Sequence, residues 1–317
     1  MELWPNYTPA PEYKELVNIE IDRYGTGKLQ VKYTPYIGSY ETAGDYMNWG
    51  KHKRFQPAEG RLLLDSQGIP KIKYGTDYHY NPVTVSQYAL TMHGRYMNRP
   101  KDLKKFLAAA DHLISMQHPS GAFRYPFSFE YFRKVYPPGW VSGMSQGHAL
   151  SVFARAYRCT GKKRYLAAGN AALQFLIKPI QEGGTMATFS DLHPSLASYI
   201  IFEEYPVQPS SYTLNGFLFT MIGLYDWWKL SPSSETSSSA LAGQYFLRCV
   251  ETAKQILCYY DIGGYTAYDL RHLIYGLEPK SARTYHAVHI YLLYALYSIT
   301  GDKVFKNYYR MWRSYID

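Results

Sequence analysis

The sequence predicts a mainly α-helical protein: an α/α toroid of four helical hairpins, an (α/α)4-type barrel, behind a small N-terminal β-hairpin and extended region. Three observations predict it. Helical periodicity begins at Val83 and continues to the C-terminus. The helices fall into pairs joined by tight turns, while the connections between pairs are long. Short joints and long connections alternate, so in an antiparallel array every long connection emerges at one end, the mouth of a ring. An open helical solenoid is the alternative that periodicity leaves standing.

Residues 1–80 read as the extended region and 81–317 as the helical domain. Val17, Ile19 and Ile21 alternate, as do Leu29, Val31 and Tyr33, the period of a half-buried strand. Arg61 to Lys73 reads as a hairpin, RLLLD and IPKIK around Ser66-Gln67-Gly68, with Gly68 suited to a left-handed turn position. Helices are expected at about 83–98, 102–117, 143–159, 162–177, 209–230, 239–259, 285–299 and 302–316. In the second, Leu103, Phe106, Leu107, Ala110, Leu113 and Ile114 form an apolar stripe, and Asp102 stands at its N-cap position. Gly161 and Gly301 sit where glycine C-caps would end two helices. Pro209 and Ser210 suit a first turn, and Ser231 to Ser238 make a longer polar joint. The long connections are 118–142, 178–208 and 260–284, and connections of that length are usually functional.

Composition narrows the class. Hydrophobic residues at 46% and charged residues at 19% over 317 residues describe a globular chain. A net charge of +9 suits an anionic partner, whether nucleic acid, a membrane surface or an acidic polysaccharide. The cations are dispersed and no nucleic-acid motif is present, so nucleic acid ranks last. The 34 tyrosines stand out, because a phenol joins a flat apolar face to a polar tip and suits sugar rings or protein interfaces. Cys159, Cys249 and Cys258 lack CxxC spacing and read as small hydrophobes, with neither zinc nor disulfides indicated. No signal peptide and no apolar run of ~20 residues is present, so a soluble cytoplasmic protein is expected. No GxGxxG follows a strand, and HExxH, Walker and GxSxG motifs are missing, so no cofactor or metal is expected.

The densest chemistry lies in Tyr268 to His289, YDLRHLIYGLEPKSARTYHAVH, with Tyr268, Tyr275 and Tyr285, Arg271 and Arg283, and His272, His286 and His289. Arginine grips a carboxylate with two parallel hydrogen bonds, and its charge lowers the pKa of a nearby phenol. A Tyr-rich surface loop is the plain alternative. The second long connection ends in Glu203-Glu204-Tyr205-Pro206, an acid and phenol pair at the mouth or else two solvated glutamates before a turn. Asn215 is polar in an apolar run, as a substrate donor or a satisfied core amide. Gln146 and His148 begin a helix after Gly139-Trp140, and His148 reads as structural. Tyr80 stands either at the mouth or in the core. Gln146, Arg283 and His286 join Tyr80 and Asn215 as substrate-binding candidates. A glycosidase pair of carboxylates has no spacing of its own, and Glu203, Glu204, Asp269 and Asp191 are its candidates.

Several segments together resemble the C-terminal helical domain of D-glucuronyl C5-epimerases: GWVSGMSQGHALSVFARAY, EEYPVQPSSYTLNGF, GLYD, and YDLRH followed by ARTYHAVHI. They occur in order between Tyr80 and Asp317, with Tyr80-Asn81-Pro82 and Gln87-Tyr88-Ala89-Leu90 matching the family's tyrosine-proline and QYGL-like start. The resemblance implies conversion of glucuronate to iduronate within a heparosan-type polysaccharide, and a homodimer. It implies a catalytic set of Glu204, Tyr205, Tyr268, Arg271 and Tyr285, with Asn215 binding sugar. Three departures stand out. Only Met97 to Lys101 joins the first two helices, where the animal enzymes carry a β-domain, so a metal site of that domain has no counterpart here. The segment after Arg283 is one residue shorter than the family's ARWDYH, and the first 75 residues match weakly, as a hairpin.

The chemistry of that reaction sets requirements. Inverting C5 of a uronate removes a hydrogen beside a carboxylate and returns a proton to the opposite face. The intermediate concentrates charge on the carboxylate, and Arg271 is the expected cation. A free phenol, pKa ~10, is protonated at neutral pH, so a tyrosine base would have to be shifted down by Arg271 or relayed. Tyr205 with Glu204 is expected on one face, Tyr285 on the other, and Tyr268 at the carboxylate. A uronate lyase, which expels the C4 substituent from the same intermediate, and a non-catalytic acidic-glycan-binding protein are the alternatives.

Overall fold

The computed structural model describes residues 7–22, 28–29, 31, 36, 38–52, 55–58, 60–132, 134–229 and 237–316. The protein is mainly helical. The N-terminal part contains helix α1 (Tyr13–Asp22), a 3-10 stretch over Tyr46–Lys51, and strands β1 (Leu62–Leu64), β2 (Pro70–Tyr74) and β3 (Asp77–His79). These strands form one antiparallel sheet in the order β1-β2-β3, with Leu62 opposite Ile72 and Ile72 opposite His79. The expected hairpin is present, with one further strand. Residues 13–22 are helical, not extended. Tyr13, Val17 and Ile21, spaced by four, pack on the core while Ile19 is 58% exposed, so the helical period overrides the alternation. Leu29 bridges Ile316, and Tyr33 lies outside the described residues.

Four hairpins follow: α2 (Pro82–Tyr96) with α3 (Leu103–Met116), and, after the small hairpin β4 (Phe129–Tyr131) and β5 (Lys134–Tyr136), α4 (Gly143–Thr160) with α5 (Lys163–Leu176). Strands β6 (Met186–Thr188) and β7 (Ile200–Phe202) precede α6 (Leu214–Trp228) and α7 (Ser237–Ile256). The one-turn helix α8 (Arg271–Ile274) precedes α9 (Arg283–Thr300) and α10 (Lys303–Ser314). Gly161 and Gly301 end α4 and α9 at φ 66° and 70°, as glycine C-caps do. Asp102 occupies the α3 N-cap without a capping hydrogen bond, because its carboxylate pairs with Arg99 (3.3 Å) and Lys105 (3.4 Å). The expected helix start at Pro209 is displaced to Leu214. Ser210 N–H donates to Asp191 Oδ2 at 2.8 Å, Tyr212 N–H to Glu203 Oε1 at 3.1 Å, and Leu270 N–H to Ser211 O at 2.9 Å, so this backbone is tied to partners outside any helix. Residues 231–236 of the polar joint lie outside the described residues.

Helix α4 packs on α2 and α6, and α6 packs on α9. Each of α2, α4, α6 and α9 carries its hairpin partner α3, α5, α7 or α10. The α4–α6 crossing is tight: a Cβ on Gly223 would lie 2.0 Å from Gly147 O, so only glycine allows the backbones to approach. The C-terminal halves of α4 and α6 are joined by a buried charge pair. Arg155 Nη1 donates to Asp226 Oδ2 at 2.6 Å and Nη2 to Tyr40 Oη at 3.0 Å, with both ionic side chains fully buried. Tyr40 N–H donates to Ser298 Oγ of α9 at 3.1 Å, and Gly50 backs directly onto Gly94 of α2. Segment 38–52 therefore runs from α9 to α2 at the end opposite the long connections. The N-termini of α2, α4, α6 and α9 face the other way, toward a cavity.

Candidate active site

The cavity has a volume of about 480 Å³ and is lined from the N-terminal halves of all four of these helices, by Asn81, Thr84 and Gln87, Ser142 and Met144, Asn215 and Phe219, and Thr284, Tyr285, Val288 and Tyr291. Helix N-termini carry partial positive charge, so their convergence favours an anion here. One wall is aromatic. Trp140 stacks on Tyr125 (centroids 3.7 Å) and Phe129 (5.5 Å), Phe129 on Tyr205 (5.6 Å), and Tyr205 on Tyr131 (4.0 Å). On the β-sheet side Tyr74 stacks on Phe127 at 3.8 Å. Among the described residues lining the cavity, Glu204 is the sole carboxylate and Arg61 the sole cation of Lys or Arg.

Glu204 is positioned by the backbone of the residue before it, which is held at both its N–H and its C=O. Glu203 N–H donates to Thr185 O at 2.8 Å, and Gly143 N–H at the head of α4 donates to Glu203 O at 2.7 Å. A Cβ on Gly216 would lie 2.6 Å from Glu204 Oε2, so this glycine is what admits the carboxylate beside α6. Tyr268 Oη donates to Glu204 Oε1 at 3.3 Å and lies 3.5 Å from Tyr205 Oη. Glu204 Oε2 and Asn215 Oδ1 are buried without a partner, although buried polar atoms are normally satisfied. Burial pushes Glu204 up to about 7, against hydrogen bonds from Tyr205 and Tyr268 and the charge of Lys280. Burial also raises Tyr205 and Tyr268 well above the usual phenol value, and Glu204's charge pushes the same way. Tyr285, in the first turn of α9 and 36% exposed, is raised by burial, and its ring lies 4.5 Å from that of Tyr268.

The structure thus brings together Glu204, Tyr205, Tyr268, Tyr285 and Asn215. It does not bring in Arg271 as expected. Arg271 Nε and Nη2 bind both oxygens of Asp269 (2.9, 3.1 and 2.8 Å), Asp269 also accepts from Tyr131, and Arg271 does not line the cavity. None of the three phenols is shifted down, which favours the second of the two expected routes, a tyrosine relayed through another group. The cation nearer the cluster is Lys280, with Nζ 4.5 Å from the ring centre of Tyr268 and 4.8 Å from that of Tyr131.

Four substrate-binding candidates turn elsewhere. Gln146 is fully buried and saturated, accepting from Phe123 N–H (2.9 Å) and donating to Gly121 O and Ala172 O (3.0 Å each). His286 is buried between Thr266 Oγ1 (2.9 Å) and Trp312 O (3.1 Å). Tyr80 donates to Asp65 Oδ2 at 2.6 Å and packs on His112. Arg283 starts α9 outside the cavity lining. Glu203, Asp191 and Asp269, the other hydrolase candidates, bind Tyr212 N–H, Ser210 N–H and Arg271, and none lines the cavity. Arg61, Tyr74, Phe129 and Trp140 were missed as site residues. Trp140 closes the first long connection beside Gly139, where a loop aromatic is a usable signal, whereas nothing in the hairpin's pattern marks Arg61.

A family model described as "D-glucuronyl C5-epimerase C-terminus" matches residues 117–314, a span that includes Glu204, Tyr205, Asn215, Tyr268 and Tyr285. The chain belongs to that family. It is 37% identical over 219 residues to a D-glucuronyl C5-epimerase of Caenorhabditis elegans, covering 66% of this chain and 34% of that protein. The chain therefore spans about a third of the length of this epimerase relative. An uncharacterized protein of Methanocaldococcus jannaschii is 26% identical over 277 residues, 80% of this chain and 84% of that one. Among solved structures, a polysaccharide lyase aligns with 15% identity and a TM-score of 0.44, over 73% of this chain and 58% of the lyase. No described helix is long and apolar enough to cross a membrane.

Proposed function

We propose that this epimerase-family chain, its four hairpins set as an α/α toroid around the cavity, inverts C5 of D-glucuronate to L-iduronate within a heparosan-type polysaccharide. The observation that carries the reading is Glu204, the sole cavity carboxylate among the described lining residues, held near 7 beside three phenols that stay protonated. Titratable neighbours pushed apart in this way are an acid–base pair. Glu204, which lines the cavity, takes the C5 proton on its carboxylate, and the electron pair spreads into the uronate carboxylate. The phenol of Tyr285, the most accessible of the three, returns a proton to C5 from the other face. The Tyr268 hydroxyl, hydrogen-bonded to Glu204, then passes the captured proton back toward Tyr285 and resets the site. The stacked wall of Trp140, Phe129 and Tyr205 supplies apolar faces for sugar rings, and Asn215 a polar contact.

Among the described residues one carboxylate lines the cavity, which favours proton transfer over the paired carboxylates of a glycoside hydrolase. Incubation of heparosan with the protein, followed by analysis of its uronic acids, tests the proposal. Iduronate is expected. A 4,5-unsaturated uronate would make the chain a lyase, and an unchanged polymer would overturn the epimerase reading.

A further inference from the structure

We infer that Arg61 receives the carboxylate of a uronate residue in the cavity, an assignment that rests on the epimerase reading. A substrate that binds as a carboxylate and reacts through a more strongly charged intermediate needs a cation facing it. Arg271 is already held by both oxygens of Asp269. Lys280 lies against the rings of Tyr131 and Tyr268 and is not part of the cavity lining. Arg61 is the remaining cation of Lys or Arg that lines it, and among the described residues no carboxylate forms an ion pair with its guanidinium.

The backbone around Arg61 is fixed although its side chain is exposed. Arg61 N–H donates to Ala58 O at 3.0 Å, and Lys73 N–H donates to Arg61 O at 3.1 Å, which seats the residue at the start of β1 beside β2. From there Arg61 lines the same space as Glu204 and Tyr285. An arginine in that position offers two parallel donors to a carboxylate, which a lysine does not. The single positive and single negative cavity side chains then divide the labour: one holds the carboxylate, the other takes the proton.

The carboxylate belongs either to the reacting uronate or to a neighbouring one in the polymer, and kinetics separate the two. Arg61→Gln and Arg61→Lys are compared with the wild type on heparosan and on carboxyl-reduced heparosan, by binding and by iduronate formation. Arg61→Gln is expected to weaken heparosan binding roughly 10- to 100-fold, the span of a charge-assisted hydrogen bond, with Arg61→Lys in between. Carboxyl-reduced heparosan should bind wild type and variant alike. A fall in kcat assigns the reacting carboxylate, while a rise in KM alone assigns a neighbour. Equal binding and turnover of heparosan by Arg61→Gln and an active wild type overturns this assignment and leaves the epimerase reading intact. A wild type that neither binds nor converts heparosan overturns both.

Discussion

Replacing Glu204 with Gln keeps the side chain's shape and removes its ability to take a proton. Burial raises this carboxyl to about 7 from 4.5. The ionised fraction is then about one half at pH 7 and about one hundredth at pH 5, and the ionised form is the base. Wild-type kcat/KM should therefore climb about tenfold per pH unit below 7 and level off above it, with no descending limb at neutral pH because the phenols titrate above their usual value. Glu204→Gln should lower kcat/KM by roughly 10²–10⁴, the usual contribution of a general base, and flatten the limb between pH 5 and 7.

Stability supplies an independent check on the same residue. Because the folded pKa is raised, the stability associated with protonated Glu204 is fully present below about 4.5 and lost as pH rises through about 7. The Gln variant should consequently melt above the wild type at pH 8, with the difference shrinking toward pH 5. The assay is iduronate formation across pH 5–9, paired with thermal melts. A Gln variant that keeps the acid limb, or a wild type without one, refutes the assignment of Glu204 as base.

Gly216→Ala would place a Cβ 2.6 Å from Glu204 Oε2 and 2.8 Å from its Cβ, displacing the carboxylate; turnover should fall about 100-fold with heparosan binding kept, measured as a kcat and KM split. Tyr285→Phe and Tyr268→Phe, which remove the acid and the relay, should each nearly abolish iduronate formation while the polymer still binds; full activity in both would remove the phenols from the mechanism. Asp226→Ala leaves Arg155 buried without its counter-charge and should cost about 3–5 kcal/mol in urea unfolding.

Helices were legible because amphipathic stripes and glycine caps are local signals, and all eight expected helices have counterparts in the fold within a few residues except at the start of α6. That start was hidden because residues 209–213 spend their hydrogen bonds on Asp191, Glu203 and Leu270, partners that no window of sequence reveals. Helix α1 was misread because Val17, Ile19 and Ile21 satisfy a strand's period while Tyr13, Val17 and Ile21 satisfy a helix's. The grouping of EEYP with YDLRH and TYHAVH was legible as motif. What was not legible is the state of each group: Asp269, two residues from Arg271, consumes the guanidinium, and burial raises the phenols that a free arginine would have lowered. Buried Gln146 and His286 show the same limit, since polarity in a helix does not say which way the side chain turns.

The most direct measurement is NMR of heparosan incubated with the protein in D₂O. The account predicts deuterium at C5 together with growing iduronate signals, because the proton taken by Glu204 and the one returned to C5 exchange with solvent. Heparosan that keeps its C5 protium and shows no iduronate would contradict it.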